Sequence, residues 1–304
     1  MARNYAVCTC CGHSFPVDSM TGTAMPNRGG RVAYMCSDCA IRNRFYHTSN
    51  TEVQGKAKKN AVGVGNEIEC ASHDDFARNV LFEFGCIPTD DSSLRGARTC
   101  EFVTGIQQGL NISSKMWATL EKLMQDGHIQ FNDSCGTHFH VSVNEMKNAN
   151  GEETYMDYIR RYYHSLFIPL ATEMRNNPEK TKKLFGRYFN SHYAKDIDLH
   201  VRPKFDRYLF INATHDNRIE FRLNKFVSAK QTQAVTKMEV EMVKCIITNF
   251  CEHFTDSYSE IDARRYFRIV NGEKVASKDA YRKHKAEVTA NKLVKLFHKF
   301  ADSI

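Results

Sequence analysis

Hydrophobic and polar side chains alternate along four segments of the chain, and this two-residue period predicts β-strands. Each segment places ionisable groups on one face and apolar groups on the other. In the first segment Glu67 and Glu69 share a face, while Ile68 lies on the opposite one. One such strand is typical of a sheet with a solvated outer face, whereas four together also fit a sheet that gathers charged groups around a metal ion. The segments span residues 63–70, 99–105, 135–143 and 218–223.

Between and after these segments, hydrophobic residues recur at the spacing of amphipathic helices. Asp74 precedes the first of these helices, and the Ser113–Ser114 pair predicts the start of the second. The later helices carry aromatic and aliphatic side chains that we expect to pack over the sheet as scaffold. The predicted helices cover residues 74–84, 113–126, 155–174, 230–254 and 279–300.

The composition is that of a soluble globular protein. The chain has 304 residues, of which 42% are hydrophobic and 25% are charged, so it can bury a substantial core and is not predominantly disordered. It contains no run of about eighteen apolar residues and begins without an apolar segment. We therefore expect a soluble, cytoplasmic protein with no membrane span and no secretory signal.

The net charge of +7 is unevenly distributed. Residues 1–60 carry 8 Lys/Arg and 3 Asp/Glu, and residues 274–299 carry 8 Lys/Arg and 2 Asp/Glu, which leaves the middle of the chain mildly acidic. This distribution favours an acidic, metal-binding centre between basic ends that could contact nucleic acid. The alternative is that both ends are simply well-solvated surfaces.

The N-terminal cysteines form two C-x2-C pairs, with 24 residues between the pairs and a glycine directly after the first. Two such pairs supply the four thiolates of a tetrahedral Zn²⁺ site. The pattern resembles a zinc ribbon, predicted over residues 1–48 and followed by a polar linker at 49–60. Its role is either structural or the docking of a partner; Cys10, His13 and His47 are substitute ligands. The predicted Zn²⁺ ligands are Cys8, Cys11, Cys36 and Cys39.

Ionisable groups on the predicted strands combine carboxylates, histidines and arginines. Carboxylate oxygens with an imidazole favour Mg²⁺ or Mn²⁺ over a zinc hydrolase site. Arginines on the same set of strands are suited to phosphate groups. From spacing alone, the sequence predicts a metal–nucleotide site.

The order of these motifs resembles the amidoligases of the glutamine synthetase and glutamate–cysteine ligase superfamily. The resemblance spans residues 62–227 and rests on G-x-E-x-E, D-x-S-L, E-x-V-[ST], C-G-x-H-x-H-V, R-Y-x-x-x-N and R-I-E-F-R. It implies an α+β catalytic domain at residues 61–304, including the basic C-terminal helix. In such a domain an antiparallel sheet with flanking helices binds metals and ATP on its concave face.

The resemblance also implies roles for individual residues. Arg222 matches the arginine that contacts the transferred phosphate, and His140 matches the second histidine of its motif, near the phosphates. Arg218 and Arg207 are further candidates for binding ATP, and Asp91 is a candidate general base whose alternative role is to form a turn. The implied ligands of Mg²⁺ are Glu67, Glu69, Glu101, His138 and Glu220.

The implied activity is ATP-dependent formation of an amide or isopeptide bond between a carboxylate and an amine. Transfer of the ATP γ-phosphoryl group gives an acyl phosphate, which the amine then attacks; charge neutralisation by metal ions and arginine is the main catalytic requirement. Two alternatives remain: an inactive ligase-like scaffold that binds nucleic acid or protein, and a metal-dependent phosphotransferase. The sequence leaves the substrates and the oligomeric state open.

Overall fold

The computed structural model describes residues 5–7, 13–16, 20–24, 32–36, 62–84, 86–89, 91, 93–104, 107–108, 110–143, 154–188, 209–214, 218–254 and 265–304. Contacts divide the chain into a first unit, Met1–Lys56 with Gly63–Phe139, and a second unit, Ala57–Val62 with His140–Ile304. The mixture of helices with an antiparallel sheet confirms the predicted mixed class. Within the described residues, no helix combines the length and the apolar character that crossing a membrane requires. The predicted domain limits stay a prediction, and the whole of the 49–60 linker lies outside the described residues.

Two short antiparallel pairs form the described part of the N-terminal segment. Strand β1 (Tyr5–Val7) pairs with β2 (Ser14–Pro16), and β3 (Met20–Ala24) pairs with β4 (Val32–Cys36). The second strand pair lies between the first C-x2-C motif and Cys36 of the second. Cys36 is the last residue of β4, whereas Cys8, Cys10, Cys11, Cys39 and His47 lie outside the described residues.

The sheet of the first unit is built around β5 (Val62–Cys70). On one side β5 pairs antiparallel with β8 (Cys100–Val103), which in turn pairs with β7 (Ile87–Thr89); β9 (Gln107–Gln108) also pairs with β5. Strand β11 (Thr137–Val143) follows Gly136, whose carbonyl accepts a hydrogen bond of 3.0 Å from the Glu69 N–H. The register places Glu69 directly opposite Glu101 and Ile68 opposite Phe102.

Two helices and a short strand pair complete the first unit. These are α1 (Asp75–Phe82), α2 (Leu110–Gln125) and the pair β6 (Ser72–His73) with β10 (Ile129–Gln130). Trp117 of α2 packs edge-on against Phe139 of β11 with ring centroids 5.7 Å apart, and both side chains are fully buried. Because Phe139 alternates with the histidines of β11, the helix packs on the apolar face of that strand.

Two details of the helix predictions were wrong. Helix α2 begins at Leu110, before the Ser113–Ser114 pair, because serine is also accommodated within a helix and does not by itself mark its start. The single helix predicted for 155–174 is two helices that meet at Tyr162, whose φ of −104° and ψ of 19° interrupt the helical conformation.

The second unit is mainly helical. It contains α3 (Tyr155–Arg161), α4 (Tyr163–Asn176), α5 (Pro178–Phe185), α6 (Ala229–Phe254) and α7 (Lys278–Ala301), and α7 packs against both α4 and α6. Buried aromatic side chains form much of this core, with the rings of Tyr155 and Tyr158 at 5.7 and 5.6 Å from that of Phe250. These contacts confirm that the aromatic cluster is core.

The described residues of the second unit also contain two antiparallel strand pairs. Strand β12 (Ile211–Asn212) pairs with β13 (Arg218–Phe221), so that Asn212 lies opposite Glu220. Strand β14 (Phe267–Val270) pairs with β15 (Glu273–Ala276) in a separate hairpin. The first pair carries predicted site residues, and the second lies between α6 and α7 in the chain.

Candidate functional site

Three carboxylates of the first unit converge at one place on its sheet. Glu69 and Glu101 are direct partners on β5 and β8, and Asp91 follows β7. One oxygen from each of the three side chains lies within 4.8 Å of the other two. Glu69 is only 2% exposed, and Asp91 and Glu101 are half-buried. Carboxylates this close repel one another when ionised, so the arrangement favours a cation between them.

The Glu69 carboxylate is held by the backbone at Gly136. The Gly136 N–H donates a hydrogen bond of 2.5 Å to Glu69 Oε2, while the Glu69 N–H donates back to the Gly136 carbonyl. A Cβ atom at position 136 would lie 2.7 Å from His138 Nε2 and 3.1 Å from Glu69 Oε2. A side chain at this position would therefore displace one of the two site side chains that pass directly over the backbone.

His138 lies between two of the predicted carboxylate ligands. Its Nδ1 is 3.2 Å from Glu67 Oε2 and its Nε2 is 4.0 Å from Glu69 Oε1, and the ring is 1% exposed. If Nδ1 carries the proton that Glu67 accepts, the Nε2 lone pair points toward the Glu69 side of the cluster. This carboxylate–histidine arrangement is the usual support for a metal-binding imidazole.

The donor set of the first unit fits a hard divalent cation. Carboxylate oxygens dominate it, and one imidazole nitrogen lies at its edge, a combination suited to Mg²⁺ or Mn²⁺. Oxygens bound to Mg²⁺ at about 2.1 Å lie up to about 4.2 Å apart, so small side-chain adjustments would bring the three carboxylates onto one ion.

The second unit holds Glu220 in a network of its own. Arg222 Nη1 donates to Glu220 Oε1, and Asn212 Nδ2 donates to Glu220 Oε2 at 2.6 Å. The Glu220 side chain is 4% exposed and that of Arg222 is 13% exposed. Both carboxylate oxygens thus accept charged or amide donors, which fixes the orientation of the side chain.

His140 is oriented by a second arginine. Arg218 Nε donates to His140 Nδ1 at 3.1 Å, so the hydrogen bond requires an unprotonated Nδ1. His140 is 6% exposed and follows His138 by two residues on β11, which puts both imidazoles on the same face of that strand. Two arginines therefore lie beside predicted site residues of the second unit, and both can bind phosphate once a ligand competes for them.

Thiols occupy the opposite face of the β5–β8 pair. Cys70 and Cys100 are direct partners in the register, and both are buried. A hydrogen bond from Cys100 and, to a smaller extent, the nearby His73 ring lower the pKa of the Cys70 thiol to about 6, against the raising effect of burial. His73 Nδ1 lies 3.9 Å from the Cys70 sulfur. In a β-strand these sulfur atoms point away from Glu69 and Glu101.

The structure brings most of the predicted site residues into these two groups. Glu67, Glu69, Glu101, His138 and Asp91 cluster in the first unit, and His140, Arg218, Glu220 and Arg222 in the second. Arg207 lies outside the described residues.

Two contributors were missed from the sequence. Gly136 stands inside the C-G-x-H-x-H-V motif and Asn212 ends R-Y-x-x-x-N. Their places in those motifs were the available sequence signal for a role in the site, although the contacts that define their roles are tertiary.

Comparison of the sequence with models of known protein families finds no match, and comparison with curated proteins also finds none. The assignment of function consequently depends on the residues and their geometry.

Proposed function

We propose that this protein is an ATP- and Mg²⁺-dependent carboxylate–amine ligase that forms an amide or isopeptide bond. The observation that carries the proposal is the convergence of Glu69, Asp91 and Glu101 within 4.8 Å, next to the buried His138. Such a donor set supports binding of one or more divalent cations, which would neutralise the ATP phosphates and polarise the γ-phosphoryl group.

The residues of the first unit would hold the metal. Glu69, Glu101 and Asp91 supply carboxylate oxygens, and Glu67 would hold His138 in the tautomer that leaves Nε2 available. The position of Asp91 among the other carboxylates favours a ligand role over the general-base role considered from the sequence. Asp91 Oδ1 also accepts a 2.8 Å hydrogen bond from the Ser93 N–H, so its turn-forming role operates alongside the metal role.

The arginines of the second unit would bind the phosphate being transferred. The Arg222 guanidinium is held by Glu220, and Arg218 contacts His140. A positioned guanidinium stabilises the charge that builds up on the phosphoryl oxygens and costs little reorganisation during the reaction. Asn212 would keep Glu220 in place while Arg222 shifts toward phosphate.

The overall chemistry proceeds in two balanced steps. A substrate carboxylate oxygen attacks the γ-phosphorus of ATP, the bond to the β-phosphate breaks, and ADP leaves. The neutral amine then attacks the acyl carbon, the C–O bond to phosphate breaks, and inorganic phosphate and one proton are released.

The antiparallel sheet would correspond to a glutamine synthetase-like catalytic sheet, with a zinc ribbon formed by the N-terminal cysteines as an accessory module.

Nucleotide binding can be tested before the substrates are identified. We expect calorimetric titration with ATP to show micromolar binding that requires Mg²⁺ and is lost in Glu101→Gln. Asp126→Asn is the matched control, because it removes an exposed carboxylate of the first unit that is 3.8 Å from Lys122. Absence of Mg²⁺-dependent binding by the folded wild-type protein would contradict the ligase proposal.

Product analysis then tests the reaction type. Screening of pooled carboxylates and amines with Mg·ATP should yield ADP, inorganic phosphate and a product whose mass equals the two substrates minus water. A phosphorylated acceptor without amide formation would instead identify a phosphotransferase that uses the same ligands.

A further inference from the structure

The hairpin formed by β14 and β15 is an exposed two-stranded ribbon. Every residue from Phe267 to Ala276 is exposed, including Ile269 at 60% and Val275 at 41%. Asn271 and Gly272 connect the strands with φ values of 51° and 87°, the backbone of a type I′ turn. Isolated two-stranded ribbons are only marginally stable in water, so this one needs support at its base.

The base of the ribbon is anchored on helix α7. The Ser277 N–H donates to the Tyr266 carbonyl at 2.8 Å, and Ser277 caps α7 by accepting from the Ala280 N–H. The Tyr266 ring packs against Tyr281 and His284 of α7, with centroids 5.3 and 5.2 Å apart. The ribbon is therefore held at one end, while both faces of its outer part remain open to solvent.

The ribbon and the start of α7 carry a concentrated positive charge. Residues 265–285 contain seven Lys/Arg and two Asp/Glu. Of the two acids, Asp279 accepts a 2.7 Å hydrogen bond from the Tyr162 hydroxyl, and Glu273 lies next to the turn. Arg265, Arg268, Lys274, Lys278 and Lys283 are all exposed. The same ribbon of a second copy would meet this surface with the same charge, whereas a polyanion is attracted to it.

We infer that the β14–β15 ribbon binds duplex nucleic acid, with its basic side chains on the phosphates and its tip in a groove. Grooves of duplex DNA admit a two-stranded ribbon. The register places Phe267, Ile269 and Lys274 on one face; the other face carries Arg268, Val270 and Val275, with Glu273 at its turn end. Each face thus combines a cation for the backbone with apolar side chains for base edges or base steps.

The Phe267 ring, near the base of the ribbon, contacts one of the basic side chains proposed to bind phosphate. Lys274 Nζ lies 4.5 Å from the centroid of the Phe267 ring, a cation–π contact that favours a position of the ammonium over the ribbon. Such ordering before binding lowers the entropy cost of the phosphate contact that Lys274 makes. This inference is independent of the proposed ligase activity, because none of its residues belongs to the metal or phosphate groups of the candidate site.

Fluorescence polarisation of the full chain with a labelled 20-base-pair DNA duplex tests the inference. We expect binding at 50 mM NaCl that weakens steeply with salt. In Arg268→Gln/Lys274→Gln the affinity should fall at least about fivefold, and the slope of log K against log salt should decrease by about 2, since each phosphate contact contributes about 0.9. The control Lys115→Gln/Lys237→Gln removes two exposed charges from α2 and α6 and should leave the slope unchanged.

Several outcomes would overturn the inference. These are no duplex binding at 50 mM NaCl, equal losses in the ribbon and control variants, or tighter ribbon-dependent binding of the single strand than of the duplex. Light scattering adds a further test: a dimer abolished by Ile269→Lys, without nucleic-acid binding, would assign the ribbon to self-association. Circular dichroism of each variant checks that the fold is kept.

Discussion

At Gly136, the addition of a single methyl group should disturb the candidate site. Its backbone N–H binds Glu69, and its missing side chain leaves room for His138 and the Glu69 carboxylate. An alanine methyl at 2.7 Å from His138 Nε2 is closer than van der Waals contact permits. Either the imidazole or the strand must then move, and the carboxylate cluster moves with it.

Gly136→Ala should therefore weaken metal binding in a protein that still folds. We expect Mn²⁺ affinity, measured by electron paramagnetic resonance titration, to fall about 10- to 100-fold. The free energy of unfolding without metal should fall by about 1–3 kcal/mol, the usual cost of overpacking. Unchanged Mn²⁺ affinity in a folded variant would show that the cluster does not bind the ion.

Glu239 is a second residue with an unusual environment, deep in the second unit. It is 1% exposed, its Oε2 has no hydrogen-bond partner among the described residues, and burial raises its pKa well above the ordinary range. It borders a cavity of about 10 Å³, close to the space that one water requires. The other lining residues are Leu170, Met174, Phe185, Phe210, Ile211, Phe221, Leu223, Met238 and Met242.

Glu239→Gln should stabilise the protein increasingly as pH rises. Because the pKa of Glu239 is raised in the folded state, the free energy of unfolding of the wild type falls as pH rises above the unfolded pKa of about 4.3. This fall ends once pH passes the folded pKa. Glutamine does not titrate, so the stability difference should grow by at most about 1.4 kcal/mol per pH unit. Urea unfolding at pH 5, 7 and 8.5 measures it. The control is Glu241→Gln on the same helix, a half-exposed carboxylate paired with Lys244; an equal trend in both variants would contradict the assignment.

At the scale of elements, helix α1 depends on its N-cap. Asp74 Oδ1 accepts from the Ala77 N–H at 2.8 Å, and Asp74 Oδ2 is 2.7 Å from His128 Nδ1. The Ala77 N–H and then the His128 ring lower the pKa of Asp74 below its usual range. An eight-residue helix has little stability of its own, so this cap and the packing of Leu81 hold it in place.

Asp74→Ala should lower the free energy of unfolding by about 1 kcal/mol at pH 7, the usual value of an N-cap. Because the folded pKa is depressed, the carboxylate contribution is complete above the unfolded pKa and is lost as pH falls through the folded value. The difference from wild type should therefore shrink between pH 5 and pH 3 in urea titrations. Asp74→Asn retains a cap acceptor and should lose less; equal losses in both variants would exclude capping as the cause.

The N-terminal strand pairs β1–β2 and β3–β4 are expected to need a bound metal ion in order to fold. Strands of three to five residues are too short to form a hydrophobic core, so a metal is expected to organise them. We expect one zinc ion per chain by elemental analysis of protein purified without added zinc. Cys36→Ser should lower this value to near zero, whereas Cys245→Ser should leave it unchanged. Full zinc content in Cys36→Ser would contradict the proposed ribbon.

At the scale of the whole molecule, the ligase proposal assigns nucleotide binding to carboxylates and to an arginine that are distant in sequence. We expect Glu101→Gln and Arg222→Lys each to reduce Mg·ATP affinity at least about tenfold, since each removes a group proposed to neutralise phosphate charge. Unchanged Mg·ATP affinity of either folded variant in calorimetry would contradict the role proposed for that residue.

The sequence alone was sufficient for the local organisation of the chain. Alternation predicted β5, β8, β11 and β13 with their ionisable faces, because the direction of a side chain in a strand depends only on its position in that strand. Helical spacing predicted α6 and α7 almost to their ends for the same local reason. Spacing does not reveal which residues the rest of the protein covers: Phe76 of α1 is 56% exposed, and its ring lies tilted against that of His128 with centroids 4.6 Å apart.

The tertiary structure decided which predicted groups are neighbours. Strand register set Glu69 opposite Glu101, and the path after β7 brought Asp91 to them from a turn with no alternation of its own. The Asn212–Glu220 contact and the burial of Glu239 likewise depend on packing between elements distant in sequence. A strand pattern permits several registers and partners, and the packing of Trp117, Phe139 and the other core side chains selects one.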